Sequence, residues 1–325
     1  HFGYRRQRQM CIRDRNCMTN KIIAIQGDHP SKLNPRTDTS IFLAHEIQKK
    51  NYKIFYYDPK DLSIINFKVV AEGFFIKFDY KKKRFFEILK KQKLELIKCK
   101  YLLIRQDPPF NLEYICSTLI LDKIKKRVKV INDPTAIRNV SEKLFSTKYQ
   151  KFMPDTIFSQ NIDEIRKFFK KHKKVIVKPI NSYSGNNIYL LTKFDLKFFQ
   201  KFIKKHDHIM CQKYLPKIKE GDKRVFLING KVCGAISRIP KKGSFLSNLS
   251  KGAKPINVKL TNKEMKISKL ISKDLKKDKI FFAGIDFIDE QLNGDINVTS
   301  PTGLKTFYDL SKINLASTFW KELKA

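Results

Sequence analysis

The sequence lacks the short motifs by which several common enzyme classes are recognised. It contains no GxGxxG, no GxxxxGK[ST], no GxSxG and no HExxH, and its six His are not clustered. These absences exclude simple interpretations as a dinucleotide dehydrogenase, a P-loop NTPase, a serine hydrolase or a zinc protease. No apolar run approaches the roughly 18 residues that a membrane span requires.

Cysteine is sparse and has no metal-binding pattern. The six Cys show no CxxC spacing, and several lie inside apolar runs. Buried free thiols in a reducing compartment are the expected state of such residues, so we predict a cytoplasmic protein.

Acidic residues and arginine are both scarce beside lysine. Lys and Arg total 68 against 31 Asp and Glu, a net charge of +37, which would ordinarily suggest a polyanion-binding chain. Only 13 of these cations are Arg, and five of them fall within the first seventeen residues. Proteins that read nucleic acids favour the bidentate fork of Arg. The composition therefore favours an enzyme with a Lys-biased surface, with no nucleic-acid or membrane partner. A basic polyanion-binding protein is the alternative from a different class.

The first seventeen residues differ from the rest of the chain. They are basic, contain no apolar signal-like region, and precede Met18 and the first strand-like run at 21–27. We expect residues 1–17 to be a non-native or disordered tail, and a basic amphipathic targeting peptide is the alternative.

The remaining residues are enough for about two domains. From 18 to 140, β-rich runs alternate with helix-like stretches, including a basic helix predicted over 81–97, which favours a parallel sheet with covering helices. Strands and helices alternate again over 141–220. The segment 221–325 opens with two strands joined by a hairpin turn at Asn229 and Gly230, contains a helix over 261–277, and closes with a helix from about residue 308. The predicted fold class is mixed α/β (α+β).

Two lysines are candidate phosphate ligands. Lys178 ends the apolar run VIVKP, and Lys143 opens a helix after a polar turn. Two Lys from separate elements can meet the phosphates of a nucleotide as point charges, although each is one of 55 Lys. The loop NSYSGNN after Lys178, with Ser184 and Gly185, could fold over phosphates through backbone N–H groups or form an ordinary turn.

Acidic and amide side chains near the C-terminus form a candidate metal site. Asp286 lies in an apolar strand, and Asp295 and Asn297 are two apart and so share one face of the next strand. Their oxygens suit Mg²⁺. The site requires either a loop over 289–292 or a bulge at Gly294, because a tight turn at Asn293 and Gly294 would displace the acids.

Arginine is rare enough here that its positions carry information. Asp222 and Arg224 lie at the start of one predicted strand, and Arg238 follows another. Arg can bind a substrate carboxylate or stabilise a developing oxyanion. A surface ion pair is the alternative.

These pieces, in this order, resemble bacterial glutathione synthetase, a family of ATP-grasp ligases, over residues 18–325. The segments that carry the resemblance are RQDPPFNLEY (105–114), SEKLF (141–145), VIVKPI (175–180), QKYLPKIKEGDKRVFLINGK (212–231), SRIP (237–240), GIDFI (284–288) and INVTSPTG (296–303). The resemblance implies, after the predicted tail, a pre-ATP-grasp N-terminal domain over 18–140 and a two-part ATP-grasp body divided into 141–220 and 221–325.

The resemblance also implies roles for individual residues. Lys143, Lys178, Ser184 and Gly185 would contact ATP phosphates, the segment Gln212, Lys213, Tyr214 and Leu215 would meet adenine, and Asp222 would hold the ribose side. Asp286, Asp295 and Asn297 would bind Mg²⁺, or Mn²⁺ in its place. Arg224, Arg238 and the turn with Ser300, Thr302 and Gly303 would line the peptide and glycine pocket, with Arg238 stabilising the tetrahedral intermediate.

The reaction implied is ligation of γ-glutamylcysteine to glycine through an acylphosphate, with release of ADP and phosphate. It depends on positioning, charge neutralisation and exclusion of water rather than on a protein nucleophile. The family generally has Glu where this chain has Asp295, a Gly-rich loop where it has NSYSGNN, and a hairpin one residue shorter before the acid. A related ligase with another acceptor is therefore the nearest alternative. A homo-oligomer is expected.

Overall fold

The structure is a computed structural model that describes residues 21–181 and 185–324. The predicted tail of residues 1–17 and the predicted phosphate contact Ser184 lie outside these residues. Within the described ranges, no helix is both long enough and apolar enough to cross a bilayer.

Three β-sheets follow one another along the chain. The strands are β1 Ile22–Gln26, β2 Lys53–Tyr57, β3 Leu62–Ile65, β4 Lys68–Phe78, β5 Phe86–Glu95, β6 Tyr101–Ile104, β7 Lys129–Ile131, β8 Thr156–Ser159, β9 Val175–Pro179, β10 Tyr189–Leu191, β11 Ile209–Lys213, β12 Asp222–Ile228, β13 Lys231–Ile239, β14 Lys254–Asn257, β15 Phe282–Ile288 and β16 Gln291–Asn297. The α-helices are α1 Thr39–Gln48, α2 Leu112–Asp122, α3 Pro134–Asn139, α4 Ile162–His172, α5 Leu196–His206, α6 Asn262–Lys277, α7 Leu304–Ser311 and α8 Leu315–Lys324. Short 3₁₀ segments lie at Pro30–Lys32, Pro59–Asp61, Leu96–Lys98, Leu144–Phe152, Pro216–Glu220 and Leu249–Lys251. The mixed α/β class is confirmed.

The first sheet has the parallel centre that its strand–helix–strand rhythm predicts. β1 pairs in parallel with β2 and β6, and β7 continues beside β6. These strands are almost continuous apolar runs because helices cover both faces. α1 and α8 cover one face through residues such as Phe42 and Trp320, and α2 covers the other through Tyr114 and Leu121.

Residues 81–97, predicted as a basic helix, contain a strand instead. β5 pairs antiparallel with β4 along nearly its whole length. The helix prediction is wrong because Lys, Glu and Leu favour helix locally, whereas pairing with β4 stabilises the extended chain. Most β5 side chains are exposed, so the sequence has little of the alternation that marks a half-buried strand.

The second sheet is antiparallel, in the order β10-β9-β11-β8. α4 and α5 pack on it and bury pairs of phenylalanines, Phe168 with Phe169 and Phe199 with Phe202. Both helices end in two Lys and a His, which suit the negative end of the helix dipole. The sheet and its helices have an apolar core of their own.

The third sheet, in the order β14-β13-β12-β15-β16, carries most of the candidate site residues. The predicted turn at Asn229 and Gly230 is confirmed, since β12 and β13 pair up to the residues on either side of it. α6 covers one face, and α7 and α8 cover the other. The predicted closing helix is two helices, because Lys312 adopts a left-handed backbone conformation with φ +62° and ends α7.

Asn132, at the end of β7, joins the first sheet to the third. Its Nδ2 donates to the carbonyl oxygens of Phe282 (2.8 Å) and Val298 (2.7 Å). Its Oδ1 accepts from the backbone N–H groups of Phe281 (2.9 Å) and Phe282 (2.8 Å). This buried amide therefore uses both donors and both lone pairs, and it fixes the two sheets against each other.

Candidate active site

A cleft between the second and third sheets collects most of the predicted site residues. It encloses about 850 Å³ of space, part of which is open solvent. The predicted residues in its lining are Lys143, Lys178, Gly185, Gln212, Lys213, Tyr214, Leu215, Asp222, Arg224, Arg238, Asp286, Asp295 and Asn297. Residues more than 150 positions apart thus meet around one space.

Two buried lysines from different parts of the chain meet at one carboxylate. The Nζ of Lys143, just before the 3₁₀ segment Leu144–Phe152, is 3.5 Å from Oδ1 of Asp295, and the Nζ of Lys178, in β9, is 3.3 Å from its Oδ2. Each lysine side chain is only 4% exposed. Burial alone would raise the pKa of Asp295, but the two lysines outweigh it and lower the pKa, so the carboxylate is ionised.

Four charged side chains lie side by side on the third sheet because of strand register. Asp222 on β12 is directly opposite Arg238 on β13, and Arg224 on β12 is directly opposite Asp286 on β15. Nε of Arg238 donates to Oδ1 of Asp222 (2.7 Å), and Nη2 of Arg224 donates to Oδ2 of Asp286 (2.8 Å). Nη2 of Arg238 is 3.1 Å from Oδ2 of Asp286 and links the two pairs.

This cluster is buried but internally neutral. Burial alone would raise the pKa of Asp286, yet Arg224 and Arg238 outweigh it and hold the pKa at about 2. The pKa of Arg238 is raised, because the attraction of Asp222 and Asp286 exceeds the effect of burial. Each charge is compensated by a hydrogen-bonded partner, which is the condition for charges to remain out of water.

The hairpin between β15 and β16 shows which of the predicted pairings of these two strands the chain adopts. Its turn is at Asp289 and Glu290, both with positive φ, and a bulge interrupts the pairing opposite Asp286. Gly294, within the bulge, has φ +80°. The predicted bulge at Gly294 is confirmed, and the tight turn at Asn293 and Gly294 is wrong. The bulge absorbs two extra residues of β16, because only residue 286 of β15 faces residues 293–295, and the side chain of Asp295 lies beside the lysines.

We expect Gly294→Ala to disturb this geometry. A Cβ there would lie 2.7 Å from Cε of Met210 and 3.0 Å from Cε of Met153, so the ends of both side chains must shift, and a left-handed conformation costs a non-glycine residue about 1–2 kcal/mol. On the expectation that Asp286, Asp295 and Asn297 bind Mg²⁺, the Mg²⁺ concentration for half-maximal turnover should rise about tenfold, the scale seen when metal ligands lose their support. It can be measured by titrating Mg²⁺ at saturating nucleotide.

Gly243→Ala is the matched control. Gly243 has φ +83° but no atom within 4 Å of an added Cβ, so this variant has the backbone cost without the clash. Its unfolding free energy should fall while its Mg²⁺ requirement stays that of the wild type. An equal shift of the Mg²⁺ requirement in both variants would contradict the role given to the bulge.

The predicted substrate turn lies outside the cleft lining. Ser300 donates from its Oγ to the carbonyl oxygen of Arg105 (3.3 Å), and the N–H of Gly303 donates to Oγ1 of Thr39 (3.1 Å). Thr302 is exposed. The turn is thus held against the first sheet, at the carboxyl ends of its parallel strands, where ligands of α/β proteins commonly bind.

Some lining residues were not identified from the sequence. Ile176 and Ile288 lie two positions from Lys178 and Asp286, so strand alternation could have placed them on the same faces. Phe245 comes from the loop after β13 and closes one side of the cleft. Glu142 also lines it, and nothing in the local sequence distinguishes it from a surface glutamate.

Two family models match the chain. The model described as the N-terminal domain of prokaryotic glutathione synthetase matches residues 22–138, and the model for the ATP-grasp domain of the same family matches residues 142–312. Together they span nearly all of the described residues.

Curated relatives match over almost their full length. The chain is 32% identical over 306 residues to glutathione synthetase from Bradyrhizobium diazoefficiens, covering 93% of this chain and 97% of the relative. It is 34% identical to that of Mesorhizobium japonicum, with 92% and 96% covered. It is 32% identical to that of Escherichia coli, with 87% and 91% covered.

Solved structures of low sequence identity share the fold. D-alanyl-alanine synthetase A from Vibrio cholerae superposes with a TM-score of 0.62 at 15% identity, covering 94% of this chain and 98% of that one. The ATP-grasp ligase PsnB, in a complex with a precursor, Mg and ADP, superposes with a TM-score of 0.60 at 11% identity, covering 94% and 99%. The ATP-grasp architecture expected from the sequence is confirmed.

Proposed function

The chain belongs to the prokaryotic glutathione synthetase family, and on that basis we propose how its cleft joins γ-glutamylcysteine to glycine. The protein is an ATP-dependent carbon–nitrogen ligase that makes glutathione. The observation that carries the assignment of the site is the meeting of four buried cations and two ionised carboxylates in one cleft.

Lys143 and Lys178 are proposed to bind the phosphates of ATP. Both lysines form ion pairs with Asp295, and their ammonium groups can rotate towards phosphate oxygens while remaining near its carboxylate. Gly185, in the loop after β9, also lines the cleft, and Ser184 beside it remains a prediction. The two lysines would neutralise charge as the terminal phosphoryl group is transferred.

A second set of lining residues suits a nucleoside. Gln212, Lys213, Tyr214 and Leu215 line the cleft. Ile176 is paired with Gln212 across two strands, and Ile288 packs with Leu215. An extended backbone with flanking apolar groups can pair with the edge of adenine and cover its faces. We propose that Asp222 faces the ribose side while holding the guanidinium of Arg238.

Asp286, Asp295 and Asn297 fit a magnesium site by the chemistry of their donors. Both carboxylates are ionised, and Asn297 donates from Nδ2 to the carbonyl oxygen of Gly284 (3.2 Å), which leaves Oδ1 as an oxygen ligand. Hard oxygen ligands of this number are typical of Mg²⁺ that shares its sphere with phosphates and water, and Mn²⁺ accepts the same set. When bound, the metal would neutralise phosphate charge.

Arg238 and Arg224 are proposed to act at the reacting carboxylate. The cysteinyl carboxylate of the dipeptide would take the terminal phosphoryl group of ATP to give an acylphosphate, and the amine of glycine would then displace phosphate. A guanidinium fixed by Asp222 and Asp286 is preorganised to stabilise the oxyanion of that displacement. The turn with Ser300, Thr302 and Gly303 would line the peptide and glycine pocket.

The division of the chain at 140 and 220, the cytoplasmic location and a homo-oligomeric state remain proposals. The two family models meet between residues 138 and 142, which supports the first boundary.

Burial raises the pKa of the thiols of Cys99 and Cys211 to about 12, so both are protonated and unreactive, as suits a reducing compartment.

Phosphate release with ATP, Mg²⁺, γ-glutamylcysteine and glycine, each omitted in turn, tests the function. We expect release to require the dipeptide and a tripeptide product to require glycine. Replacing glycine with other small amino acids tests the acceptor. Phosphate release that ignores the dipeptide would refute the assignment, and a preference for another amino acid would favour a related ligase.

A further inference from the structure

Glu142 binds the strand that carries two of the proposed metal ligands. Its carbonyl oxygen accepts from the N–H of Ile296 (2.9 Å). Its Oε1 accepts from the N–H of Val298 (2.9 Å), the N–H of Thr299 (3.1 Å) and Oγ1 of Thr299 (2.9 Å). These contacts lie on both sides of Asn297, so one residue holds the chain before and after a ligand.

The position of β16 explains why such contacts are needed. β16 is the last strand in the order of its sheet, and Asn297 pairs inward with Gly284 of β15. The N–H groups of Ile296 and Val298 therefore point to the open edge, where no further strand pairs with them among the described residues. Glu142 takes the place of that strand and satisfies both donors.

Because of the bulge, the position of the edge strand β16 depends on contacts from outside its sheet. The two extra residues at the bulge leave residues 293–295 out of regular pairing with β15, so the ladder alone does not fix the start of the segment that follows. Asn132 holds the carbonyl oxygen of Val298 (2.7 Å) while Glu142 holds its N–H. The segment after the bulge is thus held from two directions.

We propose that Glu142 is a positioning residue for Asp295 and Asn297, and that it sets the metal affinity of the cleft without binding the metal itself. The proposal rests on the metal site proposed above. Glu142 also precedes Lys143, whose Nζ lies 3.5 Å from Asp295. A shift of Glu142 would therefore disturb the metal ligands and a phosphate-binding lysine together.

Three substitutions of Glu142 distinguish the loss of its hydrogen bonds, which position the metal ligands, from the loss of its charge. Glu142→Gln keeps a carbonyl oxygen that can accept the same three bonds but loses the charge. Glu142→Asp keeps the charge but withdraws the carboxylate by one methylene. Glu142→Ala removes both. The probe is Mn²⁺, whose binding to the enzyme–ADP complex is followed by electron paramagnetic resonance, together with the Mg²⁺ dependence of turnover.

We expect Glu142→Gln to bind Mn²⁺ within about threefold of the wild type, and Glu142→Asp and Glu142→Ala to bind it about tenfold or more weakly, as for other residues that support metal ligands. The KM for γ-glutamylcysteine should change less than the metal affinity. Binding by Glu142→Ala and Glu142→Asp within twofold of the wild type would overturn the proposal, as would binding by Glu142→Gln as weak as that of Glu142→Ala. If Glu142→Ala does not fold, the comparison of Glu142→Gln with Glu142→Asp decides.

Glu264→Ala controls for lost stability. Glu264 is a buried glutamate that accepts from the N–H of Thr261 (2.8 Å) and the Nζ of Lys223 (2.8 Å) at the start of α6, and it does not line the cleft. The Glu264→Ala variant should be less stable than the wild type and keep its Mn²⁺ affinity. A loss of Mn²⁺ affinity that matches the loss in Glu142→Ala would overturn the positioning role of Glu142. Absence of Mn²⁺ binding by the wild type would instead refute the metal site itself.

Discussion

Lys178→Ala is expected to lower kcat about 100- to 1,000-fold, the scale seen when one preorganised electrostatic group is removed from a reacting centre. The buried ammonium of Lys178 pairs with the carboxylate of Asp295, and in the proposed site it neutralises phosphate charge. Asp295 keeps Lys143 as a partner in the variant, so its carboxylate is not left unpaired and the fold should survive. Turnover and thermal unfolding, measured on the same preparation, separate the two effects.

Lys174→Ala is the matched control for this prediction. Lys174 lies just before β9, is exposed, and is absent from the cleft lining. With so many lysines in the chain, a loss that followed net charge alone would appear in both variants. Near-native turnover of Lys178→Ala, or an equal loss in Lys174→Ala, would contradict the phosphate-binding role.

Arg238→Ala is expected to abolish measurable turnover and also to destabilise the protein. Removing one partner of a buried ion pair costs about 3–5 kcal/mol, because the remaining charge is left without compensation. Here the carboxylate of Asp222 would lose both of its contacts to the guanidinium, and Asp286 would lose one of its two arginines. Urea unfolding gives the stability, and phosphate release well below the unfolding midpoint gives the activity.

Two further variants separate these effects. Asp222→Asn combined with Arg238→Ala removes the uncompensated charge, so stability should recover in part while turnover stays lost. Arg238→Lys keeps a charge but not the planar fork that contacts two carboxylates at once. It should therefore recover part of the stability and little of the activity. Turnover that returns together with stability in the double variant would show that Arg238 is structural.

The charged cluster could be predicted from the sequence only in part. Asp222 and Arg224 lie two apart at the start of β12, and the alternation of side chains along a strand puts both on one face. Their partners depend on the register of β13 and β15, which local sequence does not specify. The ribose role of Asp222 rests on the family resemblance and stays a prediction, and its contact with Arg238 is a property of the fold.

The wrong helix prediction over 81–97 and the failure to identify Glu142 both arise from contacts between distant parts of the chain. β5 is extended because β4 pairs with it, although its own residues favour a helix. Glu142 reaches backbone groups 154–157 positions further along the chain, and no periodicity records such a contact. By contrast, the hairpin at Asn229 and Gly230 was predictable because its turn chemistry is local.

The boundary around the apolar core of the second sheet is where we expect local opening. Phe168, Phe199 and their neighbours form one buried cluster within that sheet and its helices. Trp320 and Phe226, in contrast, belong to one cluster that spans the first and third sheets. Local opening follows such packing boundaries. We therefore expect the second sheet to open at a lower free energy than the rest, and a ligand that bridges the cleft to raise that free energy.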